Sequence, residues 1–128
     1  RVLFHGIREK PGMPTMLSVV EDIPVLSLSG NPFAVAALFE LLAGGYLADR
    51  AEEVYIQKKE TKVLRQTFVK TGKPKRIVKG KCDEEGVFLP QIQRNGQLKN
   101  GIGSNCLVVF PEGERTYPEG EKVQVIRI

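Results

Sequence analysis

The chain has 128 residues, 41% hydrophobic and 27% charged, with a net charge of +4. This composition suits one ordinary domain, or a piece of one domain plus a small second one, and excludes a disordered tail. No stretch approaches the roughly 18 consecutive apolar residues that cross a bilayer, and the segment from Arg1 to Lys10 lacks the layout of a signal peptide, so a cytoplasmic location is the default expectation. Cys82 and Cys106 are the only cysteines and His5 the only histidine, which leaves no zinc site and predicts two free, buried thiols.

Taken in chain order, the sequence opens with the apolar run Val2-Leu3-Phe4 and the turn-rich Lys10-Pro11-Gly12-Met13-Pro14. Two short apolar segments follow, residues 15–20 and 24–28, separated by Glu21-Asp22; these read as a hairpin. Val2 to Phe4 reads as a strand without the rest of its sheet, so at least one further α/β segment is expected before Arg1. After Ser29-Gly30-Asn31-Pro32, residues 33–42 are apolar on nearly every side apart from Glu40, the pattern of a helix buried against a sheet. Asn31 suits the N-cap, Pro32 the first helical position, and Gly44-Gly45 the helix end.

The character changes near residue 50. From about Glu53 the chain is rich in β-branched residues interrupted by turn signals such as Asn95-Gly96 and Asn100-Gly101, which predicts short antiparallel strands at 63–69, 75–82, 87–93, 106–111 and 122–128. About 75 residues of this kind suggest a small β-barrel or sandwich. Ten of the 19 Lys and Arg residues fall between Lys58 and Lys81, against one acid, Glu60. Such a segment attracts anions, although a solvated strand face of a charged protein gives the same pattern.

The chemistry centres on Ser29-Gly30-Asn31-Pro32. A strand, a tight glycine turn and a helix in succession aim free N–H groups and a positive dipole end at one spot, where anions bind. By itself such a turn mostly just starts a helix.

Its context is informative. The order Phe4-His5-Gly6, Lys10-Pro11-Gly12-x-Pro14, a hairpin, Gly30-Asn31-Pro32 and Phe39-Glu40-Leu41 resembles the molybdopterin molybdenumtransferase family, which includes MoeA and gephyrin. The likeness continues with Lys79-Gly80 at a basic-Gly step. It extends through Asn105-Cys106-Leu107-Val108-Val109-Phe110-Pro111-Glu112-Gly113 to the near-terminal Gly120-Glu121-x-Val123. The resemblance implies an α/β plus all-β chain: residues 1–52 as the C-terminal part of a Mog-like molybdopterin-binding domain, and residues 53–128 as a C-terminal β-barrel domain. It implies an elongated homodimer whose cleft binds adenylated molybdopterin and inserts molybdate into the dithiolene with Mg2+ while the nucleotide is hydrolysed. On that basis Lys10, Pro11 and Gly12 correspond to a lysine loop of the cleft. Ser29, Gly30, Asn31 and Pro32 correspond to a pterin- or phosphate-side turn, Lys79 to a functional arginine, and Asn95 lies near a Gly-Ser motif.

The chain also departs from the family. Met13 stands where a second lysine is usual, Ser29 where a proline is usual, Ala34 for serine and Lys79 for arginine, which keeps charge but loses the bidentate fork. The family's carboxylate and Thr-Gly-Gly motifs lie upstream of Arg1, and Asp83-Glu84-Glu85 reads as a hairpin turn, so no metal ligands are assigned here. The 128 residues alone are expected to be inactive.

Two readings from other classes compete. One is a non-catalytic, gephyrin-type interaction module with a groove lined by Leu107, Val109, Phe110 and Tyr117. The other is a basic β-barrel that binds nucleic acid through residues 58–81. That segment contains one aromatic, Phe68, where a stacking platform needs several.

Overall fold

Two short strands, β1 (Val2–His5) and β2 (Glu9–Lys10), open the chain. They are followed by β3 (Met16–Val20) and β4 (Ile23–Ser27), which form the expected hairpin with Val20 opposite Ile23. Glu21 and Asp22 turn the hairpin at φ of 48° and 64°, the left-handed pair that matches strand twist in a two-residue turn. With β1 on the other side of β3, these strands make a three-stranded antiparallel sheet. The computed structural model describes residues 1–54, 56–90 and 103–128.

Asn31 caps the next element as expected: its Oδ1 accepts from the N–H groups of Phe33 at 3.0 Å and Ala34 at 3.2 Å, with Pro32 in the first turn. Replacing Asn31 by Ala is expected to cost about 1 kcal/mol of stability, read as a lower chemical-denaturation midpoint with unchanged slope. An unchanged midpoint would mean that the cap is not supporting the helix. The helix itself runs further than the sequence suggests. Helix α1 (Pro32–Leu38) passes through a π-helical turn at Phe39–Ala43 into α2 (Gly44–Arg50), so Gly44-Gly45 lies within the helical run and does not end it. The wider π-turn carries the chain across the glycine pair with its backbone still bonded, Gly44 N–H to the Phe39 carbonyl. By length and composition, Pro32–Arg50 is apolar enough to cross a membrane, with mean hydropathy 1.3, a feature not seen when only unbroken apolar runs are counted. Here Phe33, Ala37 and Leu41, spaced i, i+4, i+8, lay one stripe of it on a sheet.

That sheet is built from the second half of the chain. Strands β5 (Lys59–Val63), β7 (Lys75–Cys82), β9 (Cys106–Phe110) and β11 (Lys122–Arg127) join β2 in the order β2-β7-β9-β11-β5, and β8 (Val87–Phe88) pairs with β7. A two-stranded sheet pairs β6 (Phe68–Lys70) with β10 (Arg115–Tyr117). The expected strand at 63–69 is therefore two strands. The break has a physical cause, because Leu64 exchanges backbone bonds with Glu121 and Gly120, and the Gln66 side chain accepts from Leu89 N–H. The expected strand at 87–93 is seen as β8 at its start, and residues 91–93 lie outside the described residues.

The barrel expectation is corrected. Among the described residues the strands form open sheets, and the link that would begin closure, from the end of β5 to β8, is one isolated bridge between Leu64 and Val87. What the strands do provide is a two-faced sheet, as period-2 alternation dictates. Val78, Cys82, Cys106, Val108, Phe110, Val123 and Val125 point to one face and form a core with Leu64, Val87, Leu89 and Tyr117. Ile77, Leu107 and Ile126 point to the other face and receive the helix through Ala37. The boundary drawn near residues 52 and 53 is thus crossed by the helix on this face and by the parallel pairing of β2 with β7.

Both thiols are free and buried, as expected. Burial pushes the Cys106 thiol up to about 12, with Cys82 beside it adding to the effect. The folded state then holds a proton that an unfolded cysteine, near 9.0, releases. Stability from this group is fully present below pH 9 and is lost as pH rises from 9 toward 12. Cys106→Ala should flatten that alkaline loss in thermal melts; an identical alkaline profile would remove Cys106 as its source.

Candidate functional site

The helix is the scaffold on which the sequence-predicted residues meet. At its first turn, the Phe33 ring lies under the Lys79 ammonium, with Nζ 4.7 Å from the ring centroid. Lys79 is on the helix-facing side of β7, opposite Leu107 of β9. Burial there holds its ammonium below the ordinary lysine value. Gly80, the next residue, points into the other core, where an added Cβ would come within 2.9 Å of Val108 and Val87. The basic-Gly step is therefore a surface cation followed by a position that the core keeps empty.

The Lys10 loop meets the same helix further along. The Lys10–Pro11 peptide is cis, and Gly12, at φ 114°, packs so closely on Leu38 that a Cβ would overlap it. Thr15 Oγ1 donates to the Gly12 carbonyl at 2.6 Å, and Ile7 N–H to the Met13 carbonyl at 2.9 Å, so the loop is internally bonded. Met16 pairs with Ser27 across the hairpin, so the Lys10 loop and the Ser29-Gly30-Asn31-Pro32 turn leave the same sheet end.

Not every candidate converges. Lys10 is exposed and pairs with Arg76, whereas Glu9 pairs with Lys75. Strand alternation puts Lys10 on the sheet face opposite Lys75, Ile77 and Lys79. Asn95 lies outside the described residues. Three residues that matter locally were not among the candidates the sequence pointed to. Phe33 was legible as a helix-stripe residue, but its position under Lys79 depends on long-range packing. Leu38 receives Gly12. Glu9 is buried at 8% exposure against Lys75, with Oε2 2.5 Å from Nζ.

A cleft of about 500 Å³ opens on the helix side of the sheet, between Leu41 and Leu42, the segment Ile7–Glu9, and Lys59 and Lys75 over a floor that includes Ile77 and Ile126. None of the cofactor-binding candidates among the described residues lines it. Of the four residues proposed for an interaction groove, Val109 reaches this cleft, while Leu107, Phe110 and Tyr117 are core at 2%, 0% and 5% exposure. The basic segment is similarly dispersed. Lys62 meets Glu60 at 3.5 Å, Arg65 meets Glu85 at 2.8 Å and Lys75 meets Glu9. Lys70 is buried with its ammonium on the Gly72 and Gly113 carbonyls. These cations do not form one stripe. Asp83 Oδ1 accepts from the N–H groups of Glu85 and Gly86, the hairpin-turn role expected.

The fold and site define a mostly β module whose sheet carries one apolar helix, with a lysine held over the helix's first turn and a glycine loop seated one turn further along. The chain belongs to the family of the MoeA C-terminal region (domain IV), whose model matches residues 63–128, just over half of it. It is 32% identical over 97% of its length to a provisionally named molybdopterin biosynthesis protein of Methanocaldococcus jannaschii, and 28% identical over 98% to the molybdopterin molybdenumtransferase of Staphylococcus aureus. The crystal structure of the molybdopterin biosynthesis moeA protein from Pyrococcus horikoshii aligns with all of the chain at TM-score 0.83 and 25% identity, covering 33% of that protein. The chain spans 29% and 31% of the lengths of the two curated relatives named.

Proposed function

We propose that this chain is the C-terminal segment of a molybdopterin molybdenumtransferase, a diverged member, and that the longer protein inserts molybdate into adenylated molybdopterin in the cytoplasm. The observation that carries the reading is the convergence on one helix of the Lys10 loop, the Ser29–Pro32 turn and Lys79, in a chain whose family and relatives concern molybdopterin. In this reading residues 1–52 complete a Mog-like unit and residues 53–128 form the second domain. The apolar side chains left exposed on the first sheet and helix, among them Val2, Ile23, Phe39 and Leu47, pack against the rest of that unit. A homodimer follows the family pattern. Among the described residues no group of three or more acids, histidines or cysteines is placed to hold a metal ion, so in this reading the Mg2+ ligands lie in the longer protein.

The division of labour among this chain's residues is electrostatic. Lys79, on its aromatic seat, and the Ser29–Asn31 turn supply positive potential for phosphate and molybdate without redox chemistry. Lys10, in the same loop as Gly12 but on the sheet face opposite Lys79, is assigned a separate contact with the cofactor. In the full-length protein, Lys10→Ala is expected to weaken binding of adenylated molybdopterin by about 1.5–3 kcal/mol, measured by titration calorimetry. Unchanged affinity with unchanged folding would assign Lys10 to the solvated surface.

A further inference from the structure

Lys10 is an exposed residue between two neighbours that are anchored. After it, Gly12 is seated against Leu38, and its carbonyl accepts from Thr15 Oγ1 at 2.6 Å and from Thr15 N–H at 2.9 Å. Before it, Glu9 is buried with its carboxylate on the Lys75 ammonium, while Arg8 turns instead to Glu112 at 3.9 Å. Glu9 and Lys10 make up the whole of β2, so two residues set its register on β7, Glu9 opposite Lys75 and Lys10 opposite Arg76, with Lys75 N–H on the Arg8 carbonyl at 3.0 Å. A strand this short has little else to hold its register, and a slip of one position exchanges the faces of both side chains. Such a slip would turn Lys10 toward the cleft that Glu9 and Lys75 line and would carry Glu9 away from its cation. A buried carboxylate without a cation is costly. Lys75, whose side chain is 41% exposed, can leave its ammonium in water, so Glu9 is the member that depends on the pair.

We propose that Glu9 is a positioning residue: its ion pair with Lys75 pins the register of β2 on β7 and so holds Lys10, the next residue, out on the face where it meets the anionic cofactor. This rests on the cofactor contact assigned above to Lys10, and it adds a residue whose role is exerted wholly through that lysine. An apolar side chain of similar volume at position 9 would fill the same space and leave Lys75 to solvent. It would keep much of the stability, because a buried ion pair adds little over well-packed apolar groups, and would lose the pin.

The test uses the full-length protein and its affinity for adenylated molybdopterin, with folding followed by chemical denaturation. Glu9→Met should weaken binding about tenfold, the lower end of the loss expected from Lys10→Ala itself, with little change in the denaturation midpoint. Lys75→Arg, which keeps the cation, should bind as wild type does. In a Lys10→Ala background, Glu9→Met should cost nothing further. Where Glu9→Met does not fold, Glu9→Gln, which keeps the shape and removes the charge, should show the same dependence on Lys10. Unchanged affinity in the folded variant, or equal losses with and without Lys10, would overturn the proposal by showing that Glu9 only packs. A Lys10→Ala protein with full affinity would overturn the reading beneath it. The geometry is then judged separately by amide hydrogen exchange at Lys75, which loss of the Glu9 carboxylate should accelerate; exchange as slow as in wild type would overturn the pin as well.

Discussion

Reversing the charge of Lys79 in the full-length protein is expected to lower molybdenum-cofactor production by about 100-fold or more, the scale of losing a preorganised electrostatic contact to a reacting anion. Lys79→Glu removes a partly desolvated cation and, in the proposed reading, sets a carboxylate against the substrate's negative charge. The same reversal at Lys58 or Lys59, both exposed, should change production little, because solvated charges contribute weakly. Complementation of molybdoenzyme activity, run in parallel with DNA titration at about 0.15 M salt, separates the readings. Equal losses at all three positions would indicate a general electrostatic role. A nucleic-acid site would engage many phosphates and show a log–log salt slope of about −0.9 for each one neutralised on B-DNA.

The second large effect is on folding. Phe110 is fully buried, stacks on Phe68 at 4.4 Å between centroids and meets the edge of Tyr117 at 4.8 Å. It therefore ties β9 of the large sheet to β6 and β10 of the two-stranded one. Phe110→Ala should cost about 3–5 kcal/mol, enough to remove much of the stability of a domain this size. A chemical-denaturation midpoint within error of wild type would show that the two sheets are held together by something else.

How much of this was readable before the structure depends on the range of the interactions involved. The hairpin, the Asn31 cap and the strands at 75–82, 106–110 and 122–127 were legible because turn residues, caps and strand alternation act over a few positions. Two errors came from competition at longer range. Gly44-Gly45 looked like a helix end, yet the π-turn carried the helix on to Arg50. Residues 63–69 looked like one strand, yet bonds from Leu64 to Gly120 and Glu121, far along the chain, divided it.

The site divided in the same way. The glycine turn and the lysine loop could be picked out as motifs, and Gly12 and Gly80 prove to sit where a side chain would collide with Leu38 or with Val108 and Val87. That Phe33 would lie under Lys79, or that Glu9 would be buried against Lys75, could not be read from spacing. Both depend on the helix and β2 docking onto strands more than 40 positions away, which no local pattern encodes.

The central claim is that the longer protein carrying this segment handles molybdopterin, and its most direct test is made with that protein purified and folded. Adenylated molybdopterin and molybdate are supplied with magnesium, and the product is scored by its power to reconstitute a cofactor-free molybdoenzyme. Molybdate-dependent reconstitution that collapses in Lys79→Glu is expected. A folded protein that yields no active cofactor under these conditions, while binding DNA tightly at about 0.15 M salt, would contradict it.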